Sequence, residues 1–462
     1  MNKSSFIDEK LINELLQDNR NPDSHQIDDI LIKAEAKRGL DLRDTAALLN
    51  IKKPGHLEKL YETAKKIKND IYGNRVVIFA PLYVTNECAN ICEYCGFRAD
   101  NTELHRRTLA KEELQEEAAI LNRSGQKRLL LVYGEHPKFT PQWIAETIAA
   151  VYSIGDEQSK IRRINVNTAP MDVEGFKIIK EAAIGTYQCF QETYHRATYE
   201  KVHLKGLKAD YDYRLNVHHR ANQAGIDDTG LGVLFGLYDW KFELLALLQH
   251  SQDLEKIFNV GPHTVSFPRI EPALNAPLSE QPPYAVNNDE LKKIIAIVRL
   301  AIPYTGIILT TREKADFRKE LLEIGVSQIS AGSRTYSGAY KDMIENKPDM
   351  QQFTLGDTRS LDETIRDILK QGFLPSFCTS CYRKGRTGHT FMEYAKPGDI
   401  HKFCQPNAVF TLLEYLLDYA SPETKKIGLE RIEQETSKCG IFNHIIKDMY
   451  KRALAGERDL ML

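Results

Sequence analysis

The chain has 462 residues, a formal net charge of −2, 42% hydrophobic residues and 27% charged residues. This composition is typical of a globular protein with enough apolar residues for a full core. The near-neutral charge argues against nucleic acid or an anionic membrane as a partner. No run of about 20 apolar residues occurs and the N-terminus MNKSSFIDEK lacks an apolar signal core, so we expect a cytoplasmic protein.

Residues 1–74 predict a layer of helices ahead of the main domain. The segments LINELLQ, HQIDDILIKAEA, LRDTAALLN and HLEKLYETAKKIKNDIYG place apolar residues three and four positions apart. Asp41 and Asp44 are suitable residues for the start of the third helix, because aspartate accepts hydrogen bonds from free helix N–H groups.

Residues 75–372 alternate short apolar runs with helical patterns, which predicts a parallel sheet covered by helices. Eight such units favour an α/β fold closed as a (β/α)8 TIM-type barrel. An open doubly wound sheet is the alternative, but no GxGxxG sequence follows the first strand. The expected strands are VVIFAPLYV, LLLVYG, RINVNT, YQCFQE, GLGVLFG, HTVSFPRI, GIILTT and VSQISAG.

Residues 373–462 predict a third, mainly helical domain built around a metal site of its own. Its first part, up to about residue 408, is rich in Gly, Pro and Cys and is interpreted as loop. Three helical patterns follow, in AVFTLLEYLLDYA, KKIGLERIEQET and NHIIKDMYKRALA.

Three cysteines directly follow the first expected strand, in the sequence CANICEYC. A four-iron cluster takes four ligands, so Cys88, Cys92 and Cys95 would leave one iron open to another molecule. A structural zinc site is the alternative, but it would need a fourth ligand that is not adjacent. Their position at a strand end suits a barrel, where active sites lie at the C-terminal mouth.

A second group of three cysteines, C-x2-C-x22-C, consists of Cys378, Cys381 and Cys404. Zinc is again the alternative, with His389 or His401 as the fourth ligand. Of the eight cysteines, Cys189 and Cys439 stand alone, and we expect both to be small buried apolar side chains.

The arrangement of Cys88, Cys92, Tyr94 and Cys95 resembles that of the radical S-adenosylmethionine (SAM) superfamily. The resemblance implies a [4Fe–4S] cluster whose open iron binds SAM, with Tyr94 covering the adenine. Gly134 and Glu135 resemble the motif that binds the SAM amino group, and Arg214 matches an arginine directed at its carboxylate. Further candidates at strand ends are Asn167, Thr168, Gln191, Glu192, Tyr194 and His195.

The segments QETYHRATY, GLGVLFGLYDW and SFPRI resemble the aromatic amino acid lyases of this superfamily. That branch implies cleavage of the Cα–Cβ bond of L-tyrosine to p-cresol and dehydroglycine. Arg312 and Ser333, at later strand ends, are candidates for holding the tyrosine, with a purely structural role as the alternative. The implied partners are a low-potential electron donor, such as ferredoxin or flavodoxin, and a hydrogenase maturation scaffold protein.

The second cysteine group resembles the auxiliary [4Fe–4S] cluster of the lyases that mature [FeFe]-hydrogenase. In those enzymes a histidine in a GPHT setting, here His263, binds an additional iron that carries L-cysteine, and the glycine-derived fragment becomes CO and cyanide. A 2-iminoacetate synthase of thiazole biosynthesis is the nearer alternative. A non-catalytic iron–sulfur carrier is the more distant one.

Overall fold

The computed structural model describes residues 5–156, 158–347, 351–438 and 443–462. The N-terminal layer is helical as predicted, with α1 Glu9–Asp18, α2 Ser24–Ala34, α3 Leu42–Leu49 and α4 Pro54–Tyr72. The Asp41 side chain caps α3 by accepting a hydrogen bond from the Asp44 N–H at 2.9 Å. The apolar faces of these helices join one core with the helices of the barrel.

Among the described residues, eight of the eleven strands follow the predicted apolar runs and three are additional. They are β1 Arg75–Thr85, β2 Ile91–Cys92, β3 Arg128–Tyr133, β4 Arg163–Asn167, β5 Tyr187–Gln188, β6 His203–Lys205, β7 Thr229–Gly232, β8 Thr264–Ser266, β9 Gly306–Leu309, β10 Gln328–Ser330 and β11 Leu374–Ser376. The additional strands are β2, β6 and β11. The short pair β2 and β6 is antiparallel and lies outside the main sheet.

Helices connect and cover these strands. They are α5 Lys111–Arg123, α6 Pro141–Tyr152, α7 Val173–Glu181, α8 Arg196–Val202, α9 Tyr211–Leu215, α10 Val217–Gln223, α11 Trp240–Phe258, α12 Pro277–Glu280, α13 Asn288–Ala301, α14 Ala315–Ile324, α15 Ala339–Ile344, α16 Leu361–Lys370, α17 Ser380–Arg383, α18 Gly388–Ala395, α19 His401–Asp418, α20 Pro422–Lys438 and α21 Asn443–Leu454, with a 3-10 turn at Leu207–Ala209. Among the described residues, no helix has the length and apolar composition needed to cross a membrane.

The main sheet closes into a parallel barrel, which confirms the predicted fold. Its strand order is β10-β9-β8-β7-β5-β4-β3-β1, and β10 pairs back onto β1 with Val77 opposite Gln328. Each of the eight expected runs supplies one barrel strand. The helix α16, capped by reciprocal hydrogen bonds between Ser360 and Glu363, follows the last of them.

The C-terminal segment begins as part of the barrel sheet, which corrects its interpretation as loop up to residue 408. The strand β11 pairs in parallel with the start of β1, Arg75 lying opposite Leu374. The helices α17 and α18 follow, and α19 already begins at His401 with Cys404 in its first turn. The second cysteine group therefore lies at the N-terminal end of the barrel strands, opposite the first group.

Candidate active site and second cysteine centre

A cavity of about 220 Å³ opens at the C-terminal mouth of the barrel. Its wall includes all three cysteines of the CANICEYC loop and residues at the ends of β3, β4, β8, β9 and β10. A parallel barrel brings all its strand ends to one face, so residues far apart in sequence converge here. The cavity extends into the barrel as far as Phe79, Leu130 and Ser330.

Cys88, Cys92 and Cys95 are not in disulfide bonds, and all three line this cavity. The pairing of β2 with β6 places Cys92 opposite His203, and a turn joins Cys95 N–H to the Cys92 carbonyl at 3.2 Å. Burial raises the pKa of Cys88 to about 11, so a metal must replace the proton at binding. Three convergent thiols beside an open cavity fit a cluster with one exchangeable ligand position.

Glu135 and Arg214 meet directly beside the cysteine loop. The Arg214 guanidinium donates to both oxygens of Glu135 at 2.9 and 3.2 Å, and the Asn90 amide donates to one of them at 3.1 Å. Burial alone would raise the pKa of Glu135, but Arg214 and Lys208 outweigh it and hold the pKa below its ordinary value. A buried carboxylate and guanidinium side by side can receive the ammonium and carboxylate of an amino acid.

Glu192 adds a second carboxylate to this group. Its backbone has a φ of +69°, which a residue other than glycine adopts only when its surroundings hold it there. The Lys208 ammonium donates to Glu192 at 2.6 Å, and Arg214 lies 3.9 Å from the same oxygen. Sequence reasoning missed both Lys208 and Asn90, which the structure buries at the cavity wall.

Tyr94, Gly134 and Asn167 also line the cavity. The Tyr94 hydroxyl is hydrogen-bonded to His203 Nε2 at 2.8 Å, which fixes the ring at the cavity wall. A side chain at position 134 would overlap the carbonyl of Glu87, so only glycine allows this close approach between the strand end and the cysteine loop.

The sequence placed three further residues of the QETYHR segment at the site wrongly. Side chains alternate across an extended chain, and here Gln188, Phe190 and Glu192 face the cavity. Gln191 therefore faces away. The Tyr194 hydroxyl is instead hydrogen-bonded to His250 Nδ1 at 2.9 Å, and His195 stacks on the Tyr238 ring.

Arg312 and Ser333 lie on the side of the cavity formed by the ends of β9 and β10. Arg312 stacks on the Phe353 ring with its guanidinium carbon 3.4 Å from the ring centre, and donates to the Arg269 carbonyl at 3.3 Å. The buried Ser333 hydroxyl has no hydrogen-bond partner among the described residues. Both side chains keep donors available for a ligand.

The second cysteine group assembles where β11 meets α17 and α19. Cys378 and Cys404 are buried, and Cys381 lies close enough to Cys404 for a hydrogen bond. That bond and the nearby Arg386 lower the pKa of Cys381, whereas the same bond and burial raise the pKa of Cys404. The donor set suits iron–sulfur ligation.

His263 faces this second group from the barrel, because it precedes β8 at the N-terminal end. Its Nε2 lies 3.2 Å from the Tyr382 hydroxyl, next to Cys381, and its Nδ1 lies 3.7 Å from Asp228. Burial lowers the pKa of His263, which favours the neutral, metal-binding imidazole. A carboxylate behind a histidine is the usual support of a metal ligand, but iron binding by His263 stays a prediction.

The two histidines of the zinc alternative make other contacts. His389 is exposed beside Glu393, and His401 bonds the Gly398 carbonyl at 2.7 Å. Among the described residues, no three His, Cys, Asp or Glu side chains are arranged to hold a single metal ion. Cys189 is buried, as predicted, whereas Cys439 lies outside the described residues.

Two family models match the chain. One is the radical SAM superfamily, over residues 82–248, and the other is the Biotin and Thiamin Synthesis associated domain, over residues 266–374. A curated relative, 2-iminoacetate synthase of Escherichia coli (strain K12), is 31% identical over 361 residues, which are 75% of this chain and 92% of the relative. Barrel, cysteine loop and family models together define a radical SAM enzyme.

Two solved structures resemble the chain over nearly its whole length. A crystal structure of HydG, a maturase of the [FeFe]-hydrogenase, shares 46% identity with a TM-score of 0.96, covering 99% of this chain and 100% of that one. HydG from Carboxydothermus hydrogenoformans shares 41% identity with a TM-score of 0.84, covering 96% and 97%. Within the radical SAM superfamily, the chain belongs to the HydG family.

Proposed function

We propose that this enzyme cleaves the Cα–Cβ bond of L-tyrosine to p-cresol and dehydroglycine, and that its second cysteine centre converts dehydroglycine to CO and cyanide for [FeFe]-hydrogenase assembly. The observation that carries the proposal is the pair of three-cysteine groups at opposite ends of one barrel. The similarity to HydG structures over 99% and 96% of the chain supports it.

At the upper site, which is the cavity at the C-terminal mouth of the barrel, Cys88, Cys92 and Cys95 would hold the first [4Fe–4S] cluster. When bound, the cluster and SAM supply the one-electron chemistry that starts the reaction. Glu135 and Arg214 would exchange their mutual ion pair for the amino and carboxylate groups of SAM. Glu192, Lys208, Asn167 and Tyr94 complete that wall of the cavity.

The opposite wall would hold the substrate. The Arg312 guanidinium is a forked donor that suits the tyrosine carboxylate, and the Ser333 hydroxyl, which has no partner among the described residues, can add a third hydrogen bond. The cavity lies inside the barrel mouth, which shields reacting groups from water.

At the lower site, which lies at the N-terminal end of the barrel strands, Cys378, Cys381 and Cys404 would hold an auxiliary [4Fe–4S] cluster. His263 would hold an additional iron that carries L-cysteine. The fragment would have to travel along the barrel axis between the two sites. A low-potential ferredoxin or flavodoxin and a maturation scaffold protein are the proposed partners.

The test is anaerobic reconstitution followed by product analysis with reduced enzyme, SAM and L-tyrosine. We expect eight or nine irons per chain, about four for each cluster, and p-cresol together with CO and cyanide. About four irons in total would contradict the second cluster.

The second candidate function is 2-iminoacetate synthesis for thiazole formation, favoured by the similarity to the Escherichia coli enzyme over 92% of that relative. It predicts p-cresol without CO or cyanide from fully loaded enzyme. A cluster carrier without catalysis predicts that SAM stays intact after reduction.

A further inference from the structure

A segment far from the first cysteine loop in sequence lies beside it at the barrel mouth. This segment, residues 352–357, is called the mouth segment. Its backbone N–H groups donate to carbonyls that follow the strands β10, β8 and β9. The donor and acceptor residues are Gln352 and Thr335 at 3.1 Å, Thr354 and Pro272 at 3.2 Å, and Gly356 and Thr311 at 2.9 Å. The mouth segment is therefore fixed to the barrel along its length.

The side chain of Gln352 joins the mouth segment to a cysteine of the first group. Its Nε2 lies 3.5 Å from Cys95 Sγ, which is a hydrogen-bond distance for sulfur, and its Oε1 accepts a hydrogen bond from the Tyr83 hydroxyl at 2.9 Å. A thiolate that binds iron can only accept hydrogen bonds, so the amide nitrogen is the end of the side chain that has to face Cys95. The Tyr83 hydroxyl, as the donor to the amide oxygen, fixes this orientation.

The backbone around Gln352 is held on both sides. A Cβ at position 96 would lie only 3.0 Å from the carbonyl oxygen of Gln352, so Gly96 allows the mouth segment to approach the cysteine loop closely. On the other side, the Phe353 ring lies 3.4 Å from the guanidinium carbon of Arg312. Tyr83 is itself buried on β1, with 6% of its surface exposed. The amide of Gln352 is consequently aimed at the thiol by its surroundings.

A hydrogen bond to a ligand sulfur changes the reduction potential of an iron–sulfur cluster. Reduction adds negative charge to the cluster and its thiolates, so a donor stabilises the reduced form more than the oxidised form and raises the potential. The cysteine loop has donors of its own, since the backbone N–H groups of Asn90 and Glu135 bond to Cys88. The bond from Gln352 to Cys95 differs because 257 residues separate the two partners.

We infer that Gln352 is a positioning residue for the first cluster, with its amide donating to the Cys95 thiolate and Tyr83 orienting that amide. The hydrogen bond raises the reduction potential of the cluster and so makes the electron that starts the reaction easier to accept. The inference requires only the first [4Fe–4S] cluster, which membership of the radical SAM superfamily implies. It does not depend on the cleavage of tyrosine or on the second cysteine group.

The test is a redox titration of reconstituted holoenzyme followed by EPR, in which the first cluster is the signal that changes when SAM is added. Gln352→Leu should retain the wild-type iron content and shift the redox equilibrium of this cluster about tenfold towards the oxidised form. For a one-electron couple this is a fall in potential of about 59 mV. An unchanged potential in Gln352→Leu with full iron content would overturn the inference.

Tyr83→Phe tests the orienting role of the hydroxyl. The amide donor is still present in this variant but is no longer fixed, so the potential should fall by less than in Gln352→Leu. A larger fall in Tyr83→Phe than in Gln352→Leu would contradict a hydroxyl that acts only through the amide.

Two variants separate the hydrogen bond from packing. Gln352→Glu keeps the shape of the side chain but removes the donor, so the potential should fall at least as far as in Gln352→Leu. Gln351→Leu is the matched control, because the neighbouring Gln351 accepts a hydrogen bond from the Thr335 hydroxyl at 3.2 Å, and the potential should stay at the wild-type value. A wild-type potential in Gln352→Glu, or equal shifts in Gln351→Leu and Gln352→Leu, would refute the role of Gln352.

A second measurement is independent of whether these variants fold. Wild-type enzyme labelled with 15N in the side-chain amides of glutamine should give a 15N hyperfine coupling to the reduced first cluster. Absence of this coupling from the wild-type enzyme would also overturn the inference. If p-cresol never forms although the coupling and the potentials are as expected, the proposed function fails and the role of Gln352 stands.

Discussion

Replacing Arg312 by glutamine tests the proposed tyrosine site most directly. Among the described residues, the Arg312 guanidinium stacks on the Phe353 ring and donates one hydrogen bond to a backbone carbonyl. Its other N–H groups have no acceptor among these residues. A carboxylate bound in a fork receives two charge-assisted hydrogen bonds, each contributing about 1.5–3 kcal/mol. A glutamine side chain at this position can retain only part of one of these two hydrogen bonds.

The loss should therefore be about 3 kcal/mol, or about 150-fold in kcat/KM for tyrosine. SAM affinity should stay unchanged, because Glu135 and Arg214 lie on the other wall. The assay is p-cresol formation against tyrosine concentration, with SAM binding measured separately.

Two controls make the result specific. Arg312→Lys keeps the charge but not the fork, so it should lose less activity than Arg312→Gln. Tyramine lacks the carboxylate, and its binding should be the same in wild-type and variant enzymes. A change in kcat/KM of less than about threefold for Arg312→Gln, or equal losses for tyrosine and tyramine binding, would refute the role of Arg312.

Three further changes probe the rest of the molecule. Cys404→Ala should abolish CO formation while p-cresol formation continues, as measured by gas and product analysis; equal loss of both would contradict separate sites. Lys208→Met should weaken SAM binding about tenfold or more, because Glu192 loses its ion pair, and unchanged SAM titration would contradict this. Burial lowers the pKa of His218 to about 3, so only the unfolded chain takes up a proton below pH 6.5. His218 should therefore contribute a fall in stability of about 1.4 kcal/mol per pH unit between pH 6.5 and 3, and His218→Gln should reduce the slope of acid unfolding by that amount.

The eight barrel strands were predictable because each is a buried apolar run with a helical pattern after it. The strand β11 was not predictable, since it has three residues and contains Pro375, a residue that strands usually exclude. The start of α19 was not predictable from the sequence for a similar reason. Pro406 lies inside that helix, where proline removes a backbone hydrogen bond.

Part of the upper site was predictable because cysteine spacing and residues at strand ends are visible in sequence. Lys208 was not, because a lysine in a polar run suggests an exposed side chain, and only the fold buries it against Glu192. Tyr194 was misplaced because the sequence of a loop does not show which side chains face inward.

The pairing of β11 with β1 sets an order of assembly. Arg75 and Leu374 are partners in the sheet although about 300 residues separate them, and such distant pairings form slowly and late. During synthesis the first cysteine loop emerges early. The second cysteine group can be completed only after the barrel has closed and β11 has paired with β1. For the two clusters of the proposed function, metal insertion should consequently be sequential, and a destabilised barrel would leave the second centre without its cluster.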